Sequence, residues 1–278
     1  EVYVQPQGGS RRSLAGDWRF HTAQVRVSLS DDKNTIDTLL YNAMIHPLEP
    51  YALAGAIWYQ GEANATDDGA YRYRERFRTM IEGWRAKFAA PALPFLWVQL
   101  APFHSGGDRL AGDGTVLDSP WAPLRESQAG ARALPATAQA VITDVGDSGD
   151  IHPRDKRSVG HRLALAARHV AYGDRQAPWR GPQFRTAETR QGSLVLHFDA
   201  DGGALAARGG GPLQGFELAD GDGRFHPAQA RIEGDTVVLT STGVARPAAA
   251  RYGWSDDPHA ANLVGADGLP ASPFRTKE

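Results

Sequence analysis

A short polar segment near the middle of this chain contains residue types that acyl-transfer chemistry uses. His152 stands in the sequence Asp150-Ile151-His152-Pro153, and Asp147 lies just upstream. A histidine on a loop can take the proton of a serine hydroxyl when a carboxylate fixes its tautomer and stabilises the imidazolium. Alternatively, His152 begins the following helix and the aspartates only shape a turn. Taken alone, the segment leaves both interpretations open.

A second polar segment, Gln60-Gly61-Glu62, follows a run of apolar residues. A glutamine amide at a strand end can donate a hydrogen bond to an oxyanion, and such donors are worth about 3 to 4 kcal/mol of barrier. Gly61 would let the backbone approach a substrate closely. The alternative is a polar loop in which Gln60 and Glu62 only solvate the strand end.

The elements that must position these segments are predicted from the apolar pattern. Continuous apolar runs predict buried strands at 54–59, 95–100 and 140–143, and helical spacing predicts helices at 36–44, 70–88, 124–131 and 159–170. Buried strands separated by helices are typical of a parallel sheet covered on both faces, so the region 35–173 is predicted to be α/β. Ligands bind beyond the carboxyl ends of such strands. Both polar segments therefore fall at one edge of the sheet, which favours catalysis.

Beyond residue 180 the apolar residues alternate with polar ones. Strands are predicted around 194–198, 216–218, 237–239 and 252–254, separated by glycine-rich turns. This pattern predicts a small β-sandwich.

Composition excludes several classes of partner. The 278 residues carry a formal net charge of −2, so no broad basic field is available for nucleic acid. No run approaches the roughly 18 to 20 apolar residues of a membrane span, so we expect no membrane partner. The chain has no cysteine, and His104, His161 and His169 lack spacing typical of a metal site. The first residues are neither an initiator methionine nor a signal core, so a cleaved leader or missing upstream sequence is expected.

Longer motifs identify a family. Residues 41–48 (YNAMIHPL) and 55–64 (GAIWYQGEAN) closely resemble the sialate O-acetylesterase family of SGNH-class carbohydrate esterases. Further segments resemble the family in the same order, at 95–103, 124–126, 150–153, 262–263 and 268–276. Residues 14–19 resemble the exit from a β-domain that these enzymes carry inserted in the catalytic domain. The resemblance covers nearly the whole chain.

The resemblance implies a domain plan and a site. It implies the end of an inserted β-domain at 1–20, an incomplete SGNH-hydrolase-like parallel sheet flanked by helices at 21–180, and a β-sandwich at 181–278. The implied activity is hydrolysis of acetyl esters on sugar hydroxyls without metal or organic cofactor. His152 would be the general base, Asp150 its orienting carboxylate and Gln60 an oxyanion donor, beside Gly61 and Glu62. Many SGNH enzymes place the aspartate three residues before the histidine, where this chain has Gly149, so Asp147 is an alternative partner.

The family's nucleophilic serine is missing from this sequence. It belongs to a Gly-Gln-Ser-Asn-type segment ahead of the inserted β-domain. Ser10 precedes the inserted-domain exit instead, and the local backbone should keep Ser148 away from the reactive ring nitrogen. We therefore expect the serine to come from the upstream portion of the polypeptide or from a separately processed chain.

The expected partner is an acetylated sugar or polysaccharide, in a secreted or periplasmic location. Sialic acid and a plant polysaccharide such as xylan or xyloglucan stay open as substrates, because fold analogy does not fix substrate. The alternative function is a non-catalytic carbohydrate-binding protein derived from the esterase.

Overall fold

The structure is a computed structural model that describes residues 3–5, 8–13, 36–112 and 115–276. It divides into two compact units, Glu1–Pro50 and Tyr51–Glu278. The predicted domain division at 20 and 180 differs from these units and stays a prediction.

The described residues of the first unit form two short strands and two helical turns. Strands β1 (Tyr3–Val4) and β2 (Arg12–Ser13) pair antiparallel, and two short helical turns follow at Tyr41–Ile45 and His46–Leu48. The predicted helix at 36–44 is shorter than expected, since its helical turns cover only 39–45. One face of this helix was also expected to be buried, and that is wrong, since Leu40 and Met44 are 51% and 64% exposed. The predicted inserted-domain exit at 14–19 lies outside the described residues.

Three helices of the second unit follow the predicted apolar spacing. They are α1 (Asp67–Lys87), α2 (Trp121–Gly130) and α3 (Lys156–Val170). The side chain of Thr66 accepts the backbone N–H of Gly69, and that of Asp155 accepts the backbone N–H of Ser158. These caps satisfy N–H groups that have no partner inside the helix, so they fix where α1 and α3 begin. None of the described helices is long and apolar enough to cross a membrane.

A small parallel sheet carries the candidate loops. Its strands are β3 (Ala56–Trp58), β4 (Phe95–Val98) and β7 (Thr137–Ala140), in the order β3-β4-β7. Between β4 and β7 the chain adds a short hairpin of β5 (Arg109–Leu110) and β6 (Val116–Asp118). The central strand β4 is fully buried, as its continuous apolar run predicts.

Two details of this sheet differ from prediction. The third strand lies three residues earlier than the predicted 140–143, because Gln139 is buried there and its amide pairs with Trp97 and Ser272. The first strand was predicted to be buried, but β3 is an edge strand of the described sheet and Ile57 is 70% exposed.

The rest of the second unit is antiparallel. Its strands are β8 (Gln183–Arg190), β9 (Ser193–Asp199), β10 (Leu205–Ala207), β11 (Phe216–Ala219), β12 (Phe225–Pro227), β13 (Gln229–Glu233), β14 (Thr236–Thr240), β15 (Ala249–Tyr252), β16 (Leu263–Gly265) and β17 (Phe274–Arg275). They form two four-stranded sheets, ordered β12-β11-β15-β17 and β13-β14-β9-β8, and a two-stranded pair β10-β16. Both larger sheets contribute to one hydrophobic cluster, which includes the fully buried Leu218 and Leu239. Truncating either leucine to alanine should cost about 2 to 5 kcal/mol.

One buried arginine ties the parallel sheet to the antiparallel region. Arg125 on α2 donates to the carbonyls of Leu100 and Ala101 after β4, and to those of Ser255 and Asp256. Complete burial lowers the pKa of Arg125 to about 10, so it stays charged at neutral pH. The segment after β4 and the residue 255–256 segment are thereby fixed to each other.

Candidate active site

The two candidate loops meet beyond the carboxyl ends of β3 and β7. Tyr59, which directly precedes Gln60, packs against the cluster that contains Val145 and Val159. The ammonium group of Lys156, at the start of α3, lies 5.6 Å from the centroid of the Tyr59 ring. Burial raises the pKa of Tyr59 to about 12, and the carboxylate of Glu62 adds to that shift. Tyr59 therefore packs against residues that flank the Asp147–His152 segment on both sides.

The side chain of Gln60 is held by neighbouring polar groups. Its Nε2 donates to Asn64 Oδ1 at 2.9 Å, and Tyr73 Oη lies 3.1 Å from both its Oε1 and its backbone oxygen. Trp58 Nε1 donates to Tyr73 Oη at 3.2 Å, and Gln128 Nε2 donates to the backbone oxygen of Gln60 at 3.2 Å. An amide nitrogen carries two N–H groups. The second N–H of Gln60 has no partner among the described residues.

Tyr73 is the residue that orients the Gln60 amide. Burial raises its pKa to about 12, although hydrogen bonds from Trp58 and Gln128 oppose the shift. The hydroxyl therefore stays protonated at neutral pH and can donate to Gln60 while it accepts from Trp58. The ring is fixed by Phe77, with centroids 5.3 Å apart.

Gly61 occupies a position that only glycine fits well. Its φ is +152°, a conformation that residues with a side chain rarely adopt. A Cβ there would lie 3.2 Å from Gln128 Nε2 and 3.3 Å from Leu124 Cδ2. Glu62 follows in a short 3₁₀ turn, Glu62–Asn64, and is half-buried.

The Asp147–His152 segment is a tight turn that leaves the imidazole of His152 free. Asp147 Oδ1 accepts the backbone N–H of Gly149, and Asp150 Oδ1 accepts the backbone N–H of His152, both at 2.9 Å. The distance from His152 Nδ1 to Asp150 Oδ1 is 3.9 Å, which is too long for a hydrogen bond. The His152 side chain is 88% exposed, whereas Ile151 packs against the core beneath it.

These contacts leave the orienting carboxylate of His152 a prediction. Both candidates shape the turn, as the alternative interpretation of the sequence expected. The turn also holds the His152 backbone at a defined place with its ring facing solvent. Catalytic hydrogen bonds often tighten only when the complete site forms.

Comparison with known proteins identifies the family of this chain. The family model for carbohydrate esterases of the sialic acid-specific acetylesterase type matches residues 27–167, which is half of the chain and includes both loops. The chain belongs to this carbohydrate esterase family. The resemblance inferred from the sequence motifs is thereby confirmed.

Individual members of the family extend the match. The chain is 30% identical to sialate O-acetylesterase of Rattus norvegicus over 261 residues, which cover 86% of the chain and 47% of the relative. It is 35% identical to sialate O-acetylesterase of Mus musculus over 181 residues, 60% of the chain and 33% of the relative. A crystal structure of a carbohydrate acetylesterase from Xanthomonas citri is 58% identical with a TM-score of 0.84, covering 90% of this chain and 56% of that one. The carbohydrate esterase chain thus spans a third to about half of the length of these curated relatives.

The structure of this esterase chain adds a histidine that the sequence analysis missed. His259 Nδ1 lies 2.5 Å from Asp257 Oδ1 and 3.5 Å from the hydroxyl of Ser148, in the turn before His152. Burial raises the pKa of Asp257, but hydrogen bonds from Ser148 and His259 outweigh it and bring the pKa below its usual value. A catalytic triad uses different ring nitrogens for its serine and aspartate. Both contacts here involve Nδ1, so the cluster braces the turn and is not itself a triad.

A sequence signal for this cluster existed. Asp257-Pro258-His259 has the same carboxylate-to-histidine spacing as Asp150-Ile151-His152. Its proximity to Ser148, 111 residues away, follows only from the fold.

Two further carboxylates, those of Asp108 and Asp256, lie next to the Asp257–His259 cluster in the chain or through hydrogen bonds. The backbone N–H of Asp256 donates to both carboxylate oxygens of Asp108, at 3.1 and 2.9 Å, and Asp256 Oδ2 accepts from the backbone N–H and hydroxyl of Ser105. Burial, reinforced by the charge of Asp256, raises the pKa of Asp108 to about 6. The described residues include no group of three or more potential ligands that could hold a metal ion.

Proposed function

We propose that this chain is the proton-transfer half of a carbohydrate O-acetylesterase that hydrolyses acetyl esters on sugar hydroxyls, as a sialate 9-O-acetylesterase does. The supporting observation is that the family match spans two loops, one with Gln60 and one with His152, which both follow the carboxyl ends of strands in one parallel sheet. In this proposal the parallel sheet belongs to an SGNH-hydrolase-like domain, and the two antiparallel sheets form a β-sandwich after it.

The proposed reaction proceeds through an acetyl-serine intermediate. A serine hydroxyl attacks the acetyl carbonyl while His152 takes its proton, and the free N–H of Gln60 donates to the oxyanion that forms. His152 then gives the proton to the departing sugar oxygen. In the second half, His152 takes a proton from water, the resulting hydroxide attacks the acetyl group, and the serine recovers its proton as acetate leaves. Asp150, or Asp147, would orient His152 once the site is complete.

We further propose that the serine lies outside this chain, on the upstream portion of the polypeptide or on a separately processed chain. The position of β3 supports this, because β3 is an edge strand of the described sheet, edge strands offer unpaired backbone groups, and Ile57 on β3 is exposed. An added strand on that edge would extend the sheet on the side where Gln60 lies. The proposal includes a secreted or periplasmic location, because the acetylated sugars expected as substrates lie outside the cytoplasm.

A fluorophosphonate serine probe tests this proposal. The chain joined to its upstream sequence should be labelled, and the 278-residue chain alone should not be. In the longer protein, His152→Ala should slow labelling strongly. The control His161→Ala, which replaces an exposed histidine on α3, should leave the labelling rate unchanged. Labelling of the isolated chain would refute a nucleophile outside it. A longer protein that resists labelling and yet binds acetylated sugars would instead be a carbohydrate-binding protein.

A further inference from the structure

A cavity of about 270 Å³ lies along β7, an edge strand of the described sheet. Its walls come from β7, from the segment 179–183 that leads into β8, and from residues 270–272. Three arginines line it, Arg132, Arg180 and Arg185, together with Trp179. None of the residues assigned to the candidate active site contributes to it.

The arginines of this cavity outnumber the acids that face them. Arg180 and Arg185 both donate to Asp199 Oδ2, and Asp201 Oδ1 lies 3.6 Å from Arg180 Nη2. The hydrogen bond from Arg185 and the further contacts with Arg180 lower the pKa of Asp199 to about 2, so it is fully ionised.

Arg132 has no carboxylate partner in the described part of the chain. Its Nε donates to the carbonyl of Ala129 at 3.0 Å. Burial lowers the pKa of Arg132 to about 10, and the charges that add to this shift are the cations Arg180 and Arg185. Three guanidinium groups therefore share two carboxylates among the described residues, which leaves a surplus positive charge. The Arg180 side chain is 11% exposed and Arg132 is half-buried, whereas Arg185 is 58% exposed.

Two buried donors at this cavity also lack acceptors. Arg180 Nη1 and Trp179 Nε1 have no hydrogen-bond partner among the described residues. Buried N–H groups in folded proteins are nearly always paired with protein, water or ligand. An anion with several oxygen atoms would balance the surplus charge and accept hydrogen bonds from the unpaired donors. The guanidinium fork matches the geometry of carboxylate and phosphate groups.

We propose that this cavity is a binding site for a small anion, either the carboxylate of an acidic sugar or inorganic phosphate. A cavity of this size holds roughly nine water volumes at about 30 Å³ each, which leaves room for one such group. The faces of the Trp179 ring are taken by His169, at 4.2 Å between centroids, and by the Arg180 guanidinium, at 5.1 Å. Recognition therefore relies on charge and hydrogen bonds, and not on stacking of a sugar ring.

Calorimetric titration of the 278-residue chain at constant ionic strength tests the site. The probes are inorganic phosphate, glucuronate and neutral glucose. Saturable binding of phosphate or glucuronate, with none for glucose, is the expected result, and the tighter of the two anions identifies the source. Absence of saturable binding for both anions would overturn the proposal and mean that the cavity holds water alone.

Variants separate this site from nonspecific charge effects. Arg132→Gln should weaken anion binding at least tenfold, and Trp179→Phe, which keeps the ring but removes the N–H, several-fold. Arg72→Gln removes an exposed arginine that pairs with Asp68 on α1 and should leave affinity unchanged. If Arg132→Gln fails to fold by circular dichroism, Trp179→Phe carries the test. Equal affinity in the Trp179 and Arg72 variants would contradict the assignment.

Discussion

The Tyr73 hydroxyl should stabilise the fold and orient the Gln60 amide, and Tyr73→Phe separates these contributions from packing. The substitution keeps the buried ring against Phe77 and removes only Oη. Trp58 Nε1 then loses its acceptor, and the side chain of Gln60 loses one of its two hydrogen bonds. Leaving a buried donor unpaired costs about 1 to 3 kcal/mol. Because Trp58 is only half-buried and water can reach it in part, we expect a loss of about 1 to 2 kcal/mol.

Urea unfolding of the chain measures this loss, with Tyr71→Phe as the matched control. Tyr71 lies on the same helix but is 53% exposed, so its hydroxyl should contribute less than about 0.5 kcal/mol. In the longer protein, Tyr73→Phe should lower kcat about tenfold with little change in KM. This loss is smaller than the roughly 10²- to 10³-fold loss expected when an oxyanion donor is removed, because Tyr73→Phe leaves the Gln60 amide in place. Equal stabilities of the two variants, or an unchanged kcat, would refute the role assigned to Tyr73.

The remaining predictions concern the scaffold. Arg125→Met leaves four backbone carbonyls without their donor and should cost about 3 to 5 kcal/mol in urea unfolding, against less than about 0.5 for the exposed Arg72→Met. Gly61→Ala should lower the unfolding free energy by about 1 to 3 kcal/mol, because it combines backbone strain with a close approach to Gln128. Burial raises the pKa of Asp108 to about 6 in the folded state. Between about pH 4 and 6 the folded state therefore holds a proton that the unfolded state has lost. The stability that this proton contributes is lost as the pH rises through about 6. After allowance for its partial solvent exposure, Asp108→Asn should gain about 1 kcal/mol relative to wild type between pH 5 and 7.5, and a difference independent of pH would contradict this reasoning.

Local pattern was enough to predict much of the fold. The apolar run of β4 and the aromatic spacing of α1 each predict their element because one strong period dominates them. β7 was displaced in the prediction because its buried Gln139 looks polar in sequence, although its amide is satisfied by Trp97 and Ser272. Such partners, 42 and 133 residues away, cannot be read from a local pattern.

The candidate site, like the fold, was only partly predictable from local sequence. Placement of the Gln60 and His152 loops at one sheet edge follows because each comes after a buried strand, and the carboxyl ends of parallel strands share one edge. The fixation of Gln60 by Tyr73, by contrast, depends on how α1 packs over β3. The same is true of the bracing of the His152 turn by His259, which depends on a contact between the antiparallel region and the loop after β7.

Deacetylation kinetics of the longer protein, the chain joined to its upstream sequence, test the central claim most directly. His152→Ala should lower kcat for release of acetate from an acetylated sugar by at least a thousandfold. Its urea unfolding should match wild type, since the side chain is exposed and has no hydrogen-bonded partner among the described residues. His161→Ala should retain the activity of wild type. Substantial activity in the His152 variant, or an equal loss in the His161 variant, would contradict the assignment of His152 as the general base.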